Sequence, residues 1–358
     1  MHFQTDSSPS IAILRLSAIG DLIMMVPVIR ALRRQYPNAN LYWITTPLGH
    51  QLLKDRVDVN WIVVDKPKSV RQWWRLRKQL RGYRFDVLLA AQASFSANVI
   101  IPLIRAKTKI GFDAARARDG QRWWVNQTIK PQSAHLVDGF MQFAAAVGVQ
   151  DLRVEWGLRL PDDALHWARQ QRGDGAWVAV HPMASKTERV WPLRQQIEFI
   201  TLLRQRNINV VITGGRSEHE QAFNRDLVAG CPEGVVNLTA STSFAQMMAI
   251  LSEVDVVVAP DTAAVHMARA FGTPVVGLYA VARLASTGPY QAYEYCVDQY
   301  DQAVRQFLQR EPSEVSWYQR VHNDSVMQLI TVDAVMQQVL RLLQSLDNKE
   351  VGICASSV

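Results

Sequence analysis

The stretch Asp255-Val-Val-Val-Ala-Pro-Asp261-Thr262-Ala263-Ala-Val-His266-Met-Ala-Arg-Ala-Phe-Gly272-Thr-Pro-Val-Val-Gly-Leu-Tyr279 decides the fold. A β-branched run stops at Pro260, a helical pattern opens near Thr262 and closes at Gly272, and a second β-branched run follows from Pro274. Both apolar runs are short and lack polar alternation, as strands buried on both faces of a parallel sheet do. Working outward, Trp177-Val-Ala-Val180 and Asn209-Val-Val-Ile-Thr213 repeat the pattern upstream. Nearer the N-terminus, Ile11–Leu16, Leu41–Thr45, Trp61–Val64 and Asp86–Ala90 form another such set. Strands alternating with helical segments predict α/β architecture, here two Rossmann-like domains facing a central cleft. The polar stretch from Pro161 to Gly175 separates the sets, so the predicted domains are 1–160 and 161–330. The segment 331–358 is a helix, Thr331 to Leu346, and a tail; the helix is expected to pack back on the first domain.

A chain of 358 residues, 48% hydrophobic and 20% charged, is long enough for two such cores and too apolar for a disordered one. Cys231, Cys296 and Cys354 are odd in number and have no CxxC spacing, which excludes a disulfide framework and fits a reducing compartment. The apolar run Ile11 to Ile29 is broken by Arg15, Asp21 and Pro27, so it reads neither as a signal peptide nor as a membrane span. These features place the protein in the cytoplasm. Net charge is +7, but residues 1–160 hold 23 Lys/Arg against 11 Asp/Glu, and 66–130 alone hold 15 against 3. A solvated basic face is one account of that excess; an anionic ligand of the first domain is the other. Within it, Ser69 to Leu80 reads as a helix with Val70, Trp73, Leu76 and Leu80 on one side and cations flanking them. That arrangement suits phosphorylated sugars near a membrane surface.

Ligands of parallel sheets bind beyond the carboxyl ends of the strands, so the loops there carry the candidate chemistry. A helix beginning at Thr262 presents free N–H groups and partial positive charge to an anion, and Thr262 and His266 share one face. Without a ligand, Asp261 or Thr262 is a helix cap and His266 a surface residue. The loop His181-Pro-Met-Ala-Ser185-Lys-Thr-Glu-Arg189-Val-Trp-Pro192 offers hydroxyls and two cations, the usual side-chain set for phosphate. In Thr213-Gly-Gly-Arg-Ser-Glu218, paired glycines follow a strand and Glu218 can accept from ribose hydroxyls; a plain turn and cap is the competing account. Neither G-x-G-x-x-G nor a P-loop occurs. In the first turn, Gly20 permits a sharp bend and Asp21 opens a helix, either as a capping carboxylate or as a general base.

Arg15-Leu-Ser-Ala-Ile-Gly-Asp21, His181-Pro, Arg189-Val-Trp-Pro192, Asp261-Thr-Ala-Ala-Val-His266 and Gly272-Thr-Pro-Val-Val-Gly-Leu-Tyr279 together resemble the lipopolysaccharide heptosyltransferases of glycosyltransferase family 9. Their order and spacing match from about residue 11 to residue 290. The resemblance implies a GT-B fold and inverting, metal-independent transfer of L-glycero-D-manno-heptose from ADP-heptose to a Kdo residue of the inner core, with no cofactor. It assigns Asp21 as the base, and Ser185, Arg189, Glu218, Asp261, Thr262, Ala263 and His266 to the donor. Gly20, Gln92, Arg116 and Arg118 are assigned to the acceptor, Kdo-lipid A. The enzyme is then expected to sit peripherally at the cytoplasmic face of the inner membrane, without a nucleic-acid partner. Three departures stand out: Ala263 replaces a common Gly, Ser94-Phe-Ser96 replaces a basic position, and 291–326 is longer than the usual family ending. Another nucleotide sugar for a different surface glycan is the alternative within this class; a nucleic-acid-binding protein using 66–130 is the alternative outside it.

Overall fold

The computed structural model describes residues 3–4, 7–132 and 134–355, with side chains as far as Leu346. Cys354 and the tail 356–358 lie outside the described side chains. The first sheet is built from β1 (Ser10–Leu14), β2 (Asn40–Thr45), β3 (Asn60–Val63), β4 (Phe85–Leu89), β5 (Ala106–Gly111) and β6 (Gln127–Thr128). All six are parallel, in the order β3-β2-β1-β4-β5-β6. The second sheet comprises β7 (Trp177–Val180), β8 (Asn209–Ile212), β9 (Val235–Asn237), β10 (Val256–Pro260), β11 (Val275–Tyr279) and β12 (Val297–Asp298). Its order is β12-β11-β10-β7-β8-β9, again all parallel. Counted from its own first strand, the second sheet repeats the order of the first. This is the doubly wound Rossmann order, in which the winding reverses between the first and fourth strands.

Burial explains why the strands are apolar throughout rather than alternating. Ile11, Ala12, Ile13 and Leu14 of β1 and Val256 to Ala259 of β10 are all buried, because helices cover both faces. The chain divides into two compact units, Met1–Arg159 and Leu160–Val358. The polar stretch that separates the two sets is mostly helix, Asp162–Gln171, which buries only Ala164 and Ala168. Its Arg169 donates to both carboxylate oxygens of Glu253, at 3.1 Å each, on the neighbouring helix Phe244–Glu253. Two alanines give too weak an apolar stripe to register as a helix in the sequence.

The closing helix, Val332–Ala355, departs from expectation. It was expected to return to the first unit, yet Val332, Val335, Met336, Val339 and Leu342 lie in the core of the second. That core also takes Val297, Tyr300, Val304, Val321 and Val326 from the 291–326 segment, so the segment is part of the unit's packing. Trp191 locks the arrangement, donating from Nε1 to the Ile330 carbonyl at 2.9 Å.

Candidate active site

In each sheet the winding reverses between two strands, β1 and β4 in the first and β7 and β10 in the second. The crevice beyond such a reversal is where doubly wound sheets bind ligands. The motifs singled out in the sequence follow these four strands: Arg15–Asp21, Gln92, His181–Arg189 and Asp261–His266.

In the first unit, helix Ile19–Gln35 begins directly after the β1 turn, with Gly20 buried and Asp21 at its third position. Asp21 closes a capping arrangement: its Oδ2 accepts from the Ala18 N–H at 3.2 Å and pairs with the Arg15 guanidinium. Arg15 also donates to the Ala91 carbonyl and lies 5.0 Å from the Phe140 ring centroid, so it is held on three sides. Its side chain is 9% exposed and that of Asp21 25%, which leaves the carboxylate as the partner open to a ligand.

Gln92 does not offer its amide to a ligand. Its Oε1 accepts from the N–H groups of Leu16 and Ser17 at 2.7 and 3.2 Å, and its Nε2 donates to the hydroxyls of Ser17 and Ser94. Beside it, the buried Gln121 donates to the carbonyls of Ala90 and Gln92 and accepts from the Phe112 N–H. Two neutral amides thus tie together the loops after β1, β4 and β5. Gln92 therefore positions the Asp21 turn, a role that residue type alone did not reveal.

The two arginines assigned to the acceptor also part company. Arg116 is buried in an ion pair with Asp113, donates to the Lys130 carbonyl at 3.1 Å and lies over the Phe112 ring. A Cβ at Gly139 would stand 2.5 Å from its Nη1, so the neighbouring helix makes room for this cation. Arg118 is exposed, and its guanidinium forms no hydrogen bond or ion pair among the described residues. Of the two, Arg118 is the one free to meet a ligand.

In the second unit, Arg189 pairs with Asp261 at 3.1 Å and donates to its backbone carbonyl at 3.2 Å; both side chains are about nine-tenths buried. The guanidinium is thereby held at the head of the helix Ala263–Phe271. Thr262 is that helix's cap, its hydroxyl accepting from the Ala264 N–H at 3.1 Å, and His266 is buried on the helix. Thr262 is the extended residue before the helix rather than part of it, and its hydroxyl is committed to the helix as an acceptor. Ser185 and Lys186 stand exposed on the β7 loop. A contact unforeseen in the sequence reaches this loop from the 291–326 segment: His322 Nδ1 lies 2.9 Å from Glu188.

His181, at the end of β7, hydrogen-bonds Thr213 through Nδ1 at 2.9 Å, and its Nε2 lies 4.0 Å from Glu220. Burial pushes the imidazole below its usual range, with the Glu220 charge opposing, so it is held neutral. Glu218, the predicted ribose acid, is exposed at the first position of the helix Glu218–Ala229. Glu220 is the acid turned toward the strand ends: a Cβ at Gly215 would lie 2.7 Å from its Oε2. The paired glycines admit this side chain to the loop. The spacing signalled an acid after the glycines, but not which of the two in the first turn would face back toward them.

Among the described residues no group of three or more His, Cys, Asp or Glu is placed to hold a metal ion. No described helix is long and apolar enough to cross a membrane. Burial raises the thiols of Cys231 and Cys296 to about 11 and about 12, which keeps both protonated and unreactive.

Comparison with known proteins fits this geometry. Residues 73–314 match the model of glycosyltransferase family 9 (heptosyltransferase). The lipopolysaccharide core heptosyltransferase OpsX of Haemophilus influenzae is 32% identical over 347 residues, covering 96% of this chain and 99% of that protein. Among solved structures, a family 9 glycosyltransferase from Veillonella parvula superposes with a TM-score of 0.77 at 16% identity, covering 96% of this chain and 99% of that one. The Escherichia coli heptosyltransferase WaaC, solved with ADP, superposes with a TM-score of 0.71 at 18% identity, covering 93% and 99%. The two Rossmann-like units are thus those of the GT-B heptosyltransferases.

Proposed function

The chain belongs to glycosyltransferase family 9, and from that premise we propose that it transfers L-glycero-D-manno-heptose from ADP-heptose to a Kdo residue of Kdo-lipid A, with inversion and without a metal ion. The observation that carries the reading is the Arg189–Asp261 pair at the head of the helix Ala263–Phe271, beside the winding reversal of the second sheet. A fixed cation beside a helix N-terminus is the provision that a departing nucleotide diphosphate needs, which supports the reading. The ADP bound by the WaaC structure supports this choice of donor.

In this mechanism Asp21 accepts the proton of the acceptor hydroxyl as that oxygen attacks the anomeric carbon. The bond from that carbon to the β-phosphate oxygen breaks on the opposite face, and ADP leaves with the electron pair. Arg189 and the free N–H groups of the helix meet the charge that develops there. Ser185 and Glu220 hold the rest of the donor, with Glu220 in the ribose role first assigned to Glu218. Arg118 meets an anionic group of the acceptor. The working place is the cytoplasmic face of the inner membrane, where a lipid-borne acceptor is presented.

Incubation with ADP-heptose and heptose-free Kdo-lipid A, followed by mass spectrometry, tests the reading. The expected product is the acceptor plus one heptose, with inhibition by ADP and not by UDP or GDP. Protection by UDP or GDP instead, with no heptose added, would move the enzyme to another nucleotide sugar.

A further inference from the structure

The helix Val70–Leu80 has two faces, and the structure divides them differently from the sequence pattern. Leu76 and Leu80 are buried in the first unit's core and Trp73 packs against it. Val70, grouped with them by spacing, is instead 73% exposed, and Trp74 is 66% exposed. Val70 and Trp74 lie one turn apart, and Arg77 and Arg81 continue their stripe along the helix. Arg71, Arg75 and Lys78 flank it. Residues 66–85 hold eight Lys and Arg and no Asp or Glu. All eight are exposed, and none forms an ion pair among the described residues. The Arg77 guanidinium lies over the Trp74 ring, 5.8 Å from its centroid.

Unpaired cations alone are an ordinary solvated face. What sets this face apart is a large aromatic and a β-branched side chain standing outward in the middle of them. A Trp prefers the boundary between water and hydrocarbon, and flanking cations reach lipid phosphates. We propose that the outward face of this helix docks the protein on a bilayer of anionic phospholipid, with Trp74 and Val70 entering the headgroup boundary and the flanking cations on the phosphates. The proposal deepens the membrane location given above by naming the surface that makes the contact, and its test reads lipid binding alone, so it can fail while the transfer reading holds.

Co-sedimentation of the full chain with vesicles tests it. Vesicles of phosphatidylethanolamine with phosphatidylglycerol are expected to bind the protein, and vesicles of phosphatidylcholine alone are not. Arg71→Glu with Arg75→Glu and Lys78→Glu lowers binding on the order of a hundredfold or more, and Val70→Ala with Trp74→Ala lowers it roughly tenfold. Inorganic phosphate at matched ionic strength leaves vesicle binding in place if the headgroup surface is the partner. Trp74→Phe keeps an apolar ring and therefore the fold; with brominated phosphatidylglycerol, quenching of wild-type fluorescence should exceed that of this variant. Equal binding to the neutral vesicles, indifference to both sets of substitutions, or equal quenching would each overturn the proposal. So would tighter binding of a single-stranded RNA oligonucleotide that displaces the vesicles.

Discussion

Each sheet carries an arginine–aspartate pair beyond its winding reversal, Arg15–Asp21 in the first and Arg189–Asp261 in the second. The pairs are alike in chemistry and opposite in presentation. In the first, the arginine is packed against Phe140 and bound to a carbonyl, while the carboxylate keeps a quarter of its surface. In the second, both partners are about equally buried and the arginine is clamped by the aspartate's side chain and main chain together. One ion pair leaves its carboxylate partly open; the other holds a cation still at the head of a helix. On the proposed mechanism the same residue types serve opposite halves of a transfer reaction, depending on which partner the fold leaves open.

The sharpest way to break this contrast is to neutralise each aspartate in turn. Asp21→Asn keeps an oxygen for the Ala18 N–H but removes the charge facing the buried Arg15 guanidinium, so a loss of up to about 3 kcal/mol in urea unfolding is expected while kcat of the folded enzyme falls by about a thousandfold. Retained turnover in a folded Asp21→Asn enzyme would remove the base assignment. Asp261→Asn likewise strands a guanidinium, that of Arg189, in a nearly dry setting, but on the donor side. The expected loss is about 3 kcal/mol in urea unfolding, with the larger kinetic effect on the donor KM. If Asp261→Asn is as stable as wild type, the second pair is not a clamp.

A smaller effect separates the two edges by pH. Burial holds His181 neutral in the folded chain, below its usual value of 6.5. The unfolded chain binds a proton there as pH falls, so stability present above about 6.5 is lost on acidification. The slope is at most about 1.4 kcal/mol per pH unit. His181→Gln should flatten that slope between pH 6.5 and 5 as read by urea unfolding. No histidine occurs among Arg15–Asp21 or at Gln92, so the first edge contributes no such term. An unchanged slope in the variant would show that the second edge does not titrate through His181.

Much of the fold was legible because parallel strands buried on both faces leave continuous β-branched runs, and Trp177–Val180 reads directly as β7. What escaped was short or polar. β6 and β12 are two residues each, and β9 is three, too brief for any period to show. The helix Asp162–Gln171 is hidden by its charge, and the closing helix has an apolar stripe that does not say which core it fits. At the site, residue types were readable but their orientation was not. Glu218 and Glu220 lie two positions apart, nearly on opposite sides of one helix. Arg116 and Arg118 divide in the same way, one folded into an ion pair and the other left in solvent. Such choices depend on which neighbour, Gly215 or Asp113, makes room for a side chain, and a single chain of letters does not contain that neighbour's position.

The pairing of Gln92 with Gln121 has its own consequence. The three loops that surround Asp21 are joined by amides, and amides neither titrate nor attract counterions. These amide links therefore respond neither to ionic strength nor to acidity. Charge enters this region through the Arg15–Asp21 and Arg116–Asp113 pairs, and neutral dipoles keep the loops that carry them in register.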